Sequence, residues 1–380
     1  MKIAIFGRHP IPQPGFMGVM SLYEAKYFSL FGHEVDLLIP FQDREALRAF
    51  LQKAGVSELD ELDKFGGSFS IRPLFLGDGL PTRYDVCIYQ SYDVNDWENY
   101  IRILRSGSRM MTKNFPKFVT GPGYASDQNV LNQFKAFDLV ACALNDDIDE
   151  LKANPAIFDT IAHKLAYVPR GADDTILTNA GKSPDRPRIG IDTPNSTDIR
   201  AISHYFDPIQ RVKAKYPDLE VLLIGSTVTV DGYRNVPFGR FDNTYRNFFN
   251  QISCYLTVNY AFSAPHTRSA VQQQHPADWR NRAIYEVQNI EAQMSGAPLV
   301  GHPSNLIAEL YDRDVSGFEF DDFSNAEQIE GILTHILDNQ SAVSAATRAF
   351  ALSNFRWEDC IRRWEVAIVA SLNHQLARAS

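Results

Sequence analysis

Gly15 and Gly18 close the stretch GRHPIPQPGFMG, residues 7–18, which follows a short apolar run and opens a helix-like segment. Glycines at such a junction let backbone approach a ligand, and the free amides at a helix start suit an anion such as a phosphate. A tight connection without a ligand uses the same residue types, so both readings stand. His33, after Gly32, reads as a turn residue leading into the next strand rather than as a catalyst. A second set is cationic: Arg102, Arg105, Arg109, Lys113 and Lys117 fall within 16 residues with no acid among them. If one helix carries the first three they share a face, which could bind anionic headgroups or a phosphate backbone. A solvated helix face explains them equally well. No metal is expected. Asp146–Asp147 and Asp321–Asp322 read as simple acidic pairs, and Cys87, Cys142, Cys254 and Cys360 are scattered with neither CxxC nor clustered histidines. The same scatter argues against a disulfide framework and for a reducing, cytoplasmic compartment.

The elements that must hold these groups alternate along the whole chain. Strands are expected at 2–7, 34–40, 68–76, 85–90, 117–120, 138–143 and 164–169. A second series follows at 188–191, 220–225, 236–241, 255–260, 298–302 and 317–321. Helices are expected near 18–31, 43–54, 94–106, 127–136, 145–153, 197–215, 242–252, 282–295 and 304–312. Alternation of this kind predicts an α/β fold with parallel sheets wrapped by helices. The 380 residues exceed what one core fills, and Asn179–Pro187, NAGKSPDRP, concentrates turn residues where the alternation restarts. The expected organisation is therefore two Rossmann-like domains, 1–178 and 188–355, followed by a tail at 356–380. In that tail Trp357, Cys360, Ile361, Trp364, Ile368, Val369 and Leu372 recur at helical spacing with no strand after them. No apolar run approaches the ~18 residues of a membrane helix. A net charge of −9 argues against a general nucleic-acid coat while leaving room for a local basic patch.

Four segments together resemble one known family. The Pro/Gly first loop with the helix ending LFGHEV, then Tyr167–Asp173 (YVPRGAD), Leu219–Ser226 (LEVLLIGS) and Glu286–Val300 (EVQNIEAQMSGAPLV), are similar in order and spacing to segments of GT-B glycosyltransferases. The likeness is greatest to the large retaining family 4 group, and weaker to phage enzymes that glucosylate modified DNA bases. The resemblance implies two Rossmann-like domains facing across a cleft, with the acceptor on the first, the donor on the second, and the terminal helix crossing back to the first. It also implies sugar transfer from a nucleotide-diphosphate sugar, UDP-linked by preference, without a metal or other cofactor. On the donor side Glu291 would accept hydrogen bonds from the ribose hydroxyls. Phe238, in FGRF, would lie beside the base, and Arg200, Arg240 and Arg282, with Gly15 and Gly18, would face the diphosphate. On the acceptor side Tyr124 stands where the family often has a histidine, and Arg102, Arg105 and Arg109 would serve the substrate. Ala283 stands where the family places a second glutamate, which leaves the donor sugar and the stereochemistry open. The acceptor is expected to be a cell-surface or lipid-linked glycan precursor, with peripheral contact at the inner face of an anionic membrane. A hydroxylated DNA base is the alternative. A sugar-nucleotide epimerase and a non-catalytic nucleotide-sugar-binding protein are the further readings.

Overall fold

The computed structural model describes residues 1–7, 16–62, 68–75, 77–90, 97–115, 134–152, 161–183, 185–193, 199–226, 229–237, 243–258 and 286–379. The chain divides into two compact units, Met1–Pro169 with Trp357–Ser380, and Arg170–Arg356.

The first unit is built on a seven-stranded parallel sheet. Its strands are β1 (Lys2–Phe6), β2 (Glu34–Phe41), β3 (Ser70–Phe75), β4 (Tyr84–Tyr89), β5 (Ser108–Phe115), β6 (Leu139–Cys142) and β7 (Leu165–Tyr167), in the order β3-β2-β1-β4-β5-β6-β7. Its helices are α1 (Phe16–Leu30), α2 (Arg44–Ala54), α3 (Trp97–Gly107) and α4 (Asn145–Lys152). The central strands are apolar almost without interruption because helices cover both of their faces. Ile3, Ala4, Ile5 and Phe6 are all fully buried.

The second unit carries a six-stranded parallel sheet, β10-β9-β8-β11-β12-β13. Its strands are β8 (Arg188–Asp192), β9 (Glu220–Ile224), β10 (Arg234–Val236), β11 (Cys254–Leu256), β12 (Leu299–Gly301) and β13 (Gly317–Glu319). Around them lie α5 (Phe206–Lys215), α6 (Asn243–Gln251), α7 (Glu286–Met294), α8 (Ala326–Asp338) and α9 (Gln340–Asn354). In both sheets the strand order runs outward in two directions from a central pair, the doubly wound arrangement of Rossmann-like domains.

The last helix, α10 (Trp357–Ala379), belongs to the first unit, as expected. Its buried stripe is Trp357, Cys360, Ile361, Trp364 and Ile368. Trp357 stacks on Tyr23 and Tyr27 of α1, with ring centroids 5.8 and 6.0 Å apart. His33 accounts for much of the polar contact here: its Nε2 lies 2.8 Å from Glu365 Oε1, and its Nδ1 lies 3.2 Å from the amino terminus.

Several expectations need correction. The strand expected at 117–120 lies outside the described residues; β5, which was not among the expected strands, starts directly after α3. The spacing of Arg105, Arg109 and Lys113 imitates a helix, but Met110, Met111 and Thr112 between them are fully buried as β5 lies between β4 and β6. Arg102, Arg105 and Arg109 therefore share no helical face: α3 ends at Gly107 and Arg109 is in a strand. Residues 304–312 form short 3₁₀ turns at Pro303–Asn305 and Ala308–Leu310 rather than a helix, and α8 and α9 were not among the expected elements. Of the helix expected over 197–215, residues 206–215 are α-helical, preceded by 3₁₀ turns at Ile199–Ala201 and Ser203–Tyr205.

Candidate functional site

In an open parallel sheet, loops leaving the carboxyl ends of the two strands where the order reverses diverge and open a crevice for ligands. In the second unit those strands are β8 and β11. The described residues at this edge are Thr193 after β8, Gly225 and Ser226 after β9, Thr257 and Val258 after β11, and His302 after β12. Thr193 is buried, and its amide donates to the Ile224 carbonyl at 3.1 Å. Tyr205 donates its hydroxyl to the Thr257 carbonyl at 2.8 Å, and complete burial pushes the phenol's pKa up, which keeps it a neutral donor.

Helix α7 supplies the chemistry behind this edge. Every residue from Val287 to Val300 is buried, yet Gln288, Asn289, Glu291 and Gln293 are polar. Glu291 is 3% exposed, so it is not a solvated surface glutamate. Gln288 precedes it by three residues on the same side of the helix. Gln288 Oε1 and Asn289 Oδ1 are buried acceptors with no partner among the described residues. Buried polar groups are normally hydrogen-bonded, so these acceptors mark where a donor is wanted. Gln293 Oε1 is likewise without a partner among the described residues, although its Nε2 donates to the carbonyls of Asn289 at 3.1 Å and Leu310 at 2.7 Å.

The far end of α7 is fixed closely. Gly296 takes a left-handed conformation (φ 73°), its amide bonds to the Gln293 carbonyl, and the Ala297 amide reaches back to Ala292, both at 2.8 Å. Such a cap favours glycine, and here a Cβ would also lie 2.4 Å from Ser344 Oγ of α9. Arg348 of α9 donates to the Met294 carbonyl and, at 2.6 Å, to that of Leu177, placing a cation at the negative end of the helix dipole.

Beside this helix, at the carboxyl ends of β12 and β13, the ring of His302 stacks on Phe323 with centroids 4.8 Å apart, and His204 meets the same ring edge-on at 4.8 Å. Burial, with a smaller contribution from His302, lowers the pKa of His204 to about 3, so the imidazole is neutral in the folded protein. The unfolded chain takes up that proton near pH 6.5. Stability is therefore expected to fall as pH drops from about 6.5 towards 3, by about 3 kcal/mol by pH 4. Urea unfolding of wild type and His204→Phe at pH 7 and pH 4 measures it; the variant should lose less stability on acidification.

Of the residues singled out from sequence, Glu291 lies at the centre of α7, and Gly18 lies in the first turn of α1, in the other unit. Arg200 is exposed in the turn Ile199–Ala201, beyond the carboxyl end of β8. Gly15, Tyr124, Phe238, Arg240 and Arg282 lie outside the described residues. Arg102 is exposed on α3. Arg105 is half-buried and paired within the first unit, Nη1 on Asp138 and Nη2 on the Ala136 carbonyl, each at 2.5 Å. Gln288 and Asn289 were not singled out; five of the nine residues of EVQNIEAQM are polar, so nothing in the sequence marks these two as buried. Two DxD tripeptides occur, Asp147–Asp149 in α4 and Asp312–Asp314 before β13. Among the described residues no three of His, Cys, Asp and Glu come together to hold a metal.

The first unit contains a cavity of about 330 Å³ lined by Asp138, His163, Lys164, Ser371 and His374. It lies at the amino ends of β6 and β7, the edge opposite the one where ligands bind in such sheets, and so forms no part of this site.

Neither a protein-family model nor a curated protein matches the sequence. Solved structures do match its fold. Anabaena HepE in complex with UDP and glucose is 11% identical, the match covering 98% of this chain and 99% of that one with a TM-score of 0.59. A glycosyltransferase from Rickettsia africae is 12% identical over 98% and 99%, also at 0.59. A putative UDP-N-acetylglucosamine 2-epimerase from Listeria monocytogenes is 11% identical over 98% and 97%, at 0.55. At these identities the likeness is one of fold, and it extends over both Rossmann-like domains and nearly the whole length of each chain. No helix among the described residues is long and apolar enough to cross a membrane.

Proposed function

We propose that the protein is a glycosyltransferase moving the sugar of a UDP-sugar to an acceptor hydroxyl, without a metal. The observation that carries this reading is α7: a helix buried from Val287 to Met294, with a buried carboxylate and amide oxygens that have no partner among the described residues. A carboxylate can accept from both ribose hydroxyls of a nucleotide, and Glu291 takes that role. Likeness over nearly the full chain to HepE, whose crystals hold UDP and glucose, supports UDP as the nucleotide. In this reading Arg200, Arg240 and Arg282, with the Gly15–Gly18 helix start, neutralise the leaving diphosphate, and Phe238 lies beside the base. Tyr124 and the exposed Arg102 and Arg109 remain on the acceptor side. A cell-surface or lipid-linked glycan precursor is the acceptor proposed, reached from the cytoplasm at the inner membrane face, and the sugar is transferred with retention.

UDP-, GDP- and ADP-sugars, incubated with glycoside, lipid-linked and hydroxymethylated DNA acceptors, test this by release of nucleotide. UDP release is expected to persist in EDTA, because side-chain cations do the work an ion would do. Loss of activity in EDTA restored by Mg²⁺ or Mn²⁺ overturns the metal-free reading. Conversion of the UDP-sugar to an epimer instead assigns the epimerase reaction, and UDP binding without turnover across all acceptors assigns a binding protein.

A further inference from the structure

The first unit has its own reversal point, between β1 and β4, and an unusual pair of residues sits there. The Gln90 amide continues the ladder onto the Phe6 carbonyl at 3.0 Å, so Gly7 and Gln90 stand side by side at the carboxyl edge. Helix α1 presses directly on this edge: a Cβ on Gly7 would lie 3.0 Å from Ser21 Oγ. One turn further along α1, Glu24 is the only acid in FMGVMSLYEAKYFSL. It is 1% exposed, and it accepts a hydrogen bond from Nε2 of Gln90, itself 2% exposed. Gln90 Oε1 is buried with no partner among the described residues.

Burying a carboxylate and an amide costs several kcal/mol, and apolar residues of similar volume commonly stabilise a core as well or better. The residues preceding the pair in the chain are packed aromatics: Tyr89, before Gln90, stacks on Phe6, and Tyr23, before Glu24, stacks on Trp357. A core that needed only packing would have no use for the pair. Its geometry has a consequence, however. An amide that gives its NH₂ to a carboxylate must turn its oxygen the other way. Glu24 therefore holds Gln90 with its Oε1, unpartnered among the described residues, directed away from the carboxylate.

We propose that this edge is a second ligand site, at which Gln90 Oε1 accepts a hydrogen bond from a hydroxyl of a neutral sugar while Glu24 acts as the positioning residue. The inference rests on the glycosyltransferase reading for calling that sugar the acceptor substrate. It also moves acceptor recognition from the arginines of 102–109 to the reversal point of the first sheet.

The double variant Glu24→Leu with Gln90→Leu replaces the pair by apolar side chains of similar size. A panel of neutral p-nitrophenyl glycosides is titrated into wild type and variant by saturation-transfer NMR, UDP is titrated into both by calorimetry, and melting is recorded. At least one glycoside should bind wild type and lose about tenfold or more in affinity in the double variant, with melting unchanged or raised and UDP affinity unchanged. Glu24→Gln, which keeps shape and lets the Gln90 amide turn over, is the second variant. It should weaken the same glycoside about threefold or more at constant melting temperature, which a purely structural pair would not do. Equal glycoside affinity in wild type and Glu24→Gln, or no glycoside bound by wild type, overturns the proposal. Failure of wild type to bind UDP, with the glycoside effect present, sinks the donor reading and leaves this site standing.

Discussion

Trp364→Ala is expected to cost about 3–5 kcal/mol of stability, the range for removing a fully buried tryptophan. Trp364 is 1% exposed, one turn beyond Cys360 and Ile361 on the stripe that buries α10 in the first unit. Cavity formation adds to the lost transfer free energy, because the helix is fixed on either side of the residue and cannot collapse into the hole. The fixed points are Trp357 on α1, Glu365 on His33 and Arg363 over the Tyr167 ring at 5.3 Å. Trp364→Phe should recover most of the loss. Urea unfolding followed by circular dichroism measures it, and a change under about 1 kcal/mol for the alanine variant would mean that α10 contributes little to the first unit.

Glu291→Ala is expected to weaken UDP binding by about 1.5–3 kcal/mol, roughly 10- to 150-fold, the usual worth of hydrogen bonds to a charged group. Because the side chain is buried, the alanine variant also opens space, so Glu291→Gln is the cleaner comparison. Glutamine keeps the volume but can no longer accept with both terminal atoms. Calorimetric titration with UDP and with 2′,3′-dideoxy-UDP separates the roles. Wild type should prefer UDP, and the Gln variant should lose that preference. Unchanged affinity in both variants removes Glu291 from the site.

How much was legible in the sequence follows from what apolar periodicity can see. Strands such as Lys2–Phe6 and Glu220–Ile224 are continuous apolar runs because helices cover both faces, so the alternation and the paired sheets could be read directly. The terminal helix was legible from its tryptophans. Helix α9 was not, because the face it buries is Gln340, Ser344, Thr347 and Ala351, helical in spacing but mostly polar. Strand β5 was hidden by cations at helical spacing. For the candidate site, Glu291 was singled out through its resemblance to a family segment, whereas Gln288 and Asn289 become visible only once the burial of Val287–Met294 is known. Glu24 and Gln90 are 66 positions apart, and only the topology that sets β1 beside β4 brings them together.

The crossing of α10 also dictates an order of events at the ribosome. The second unit is one continuous stretch whose ends meet, with the Ala172 amide on the Phe355 carbonyl at 2.9 Å and Arg356 paired with Asp174 at 3.2 Å, so it can fold as soon as it has emerged. The first unit cannot. Its opening 169 residues leave the exit tunnel with the seat of α10 uncovered, and they wait while Arg170–Arg356 is translated. At ~5–20 residues per second that wait is on the order of 10–40 s, long compared with collapse or helix formation. During it, Tyr23, Tyr27 and their neighbours present to solvent the aromatic surface that Trp357 later covers, the kind of surface on which incomplete chains associate.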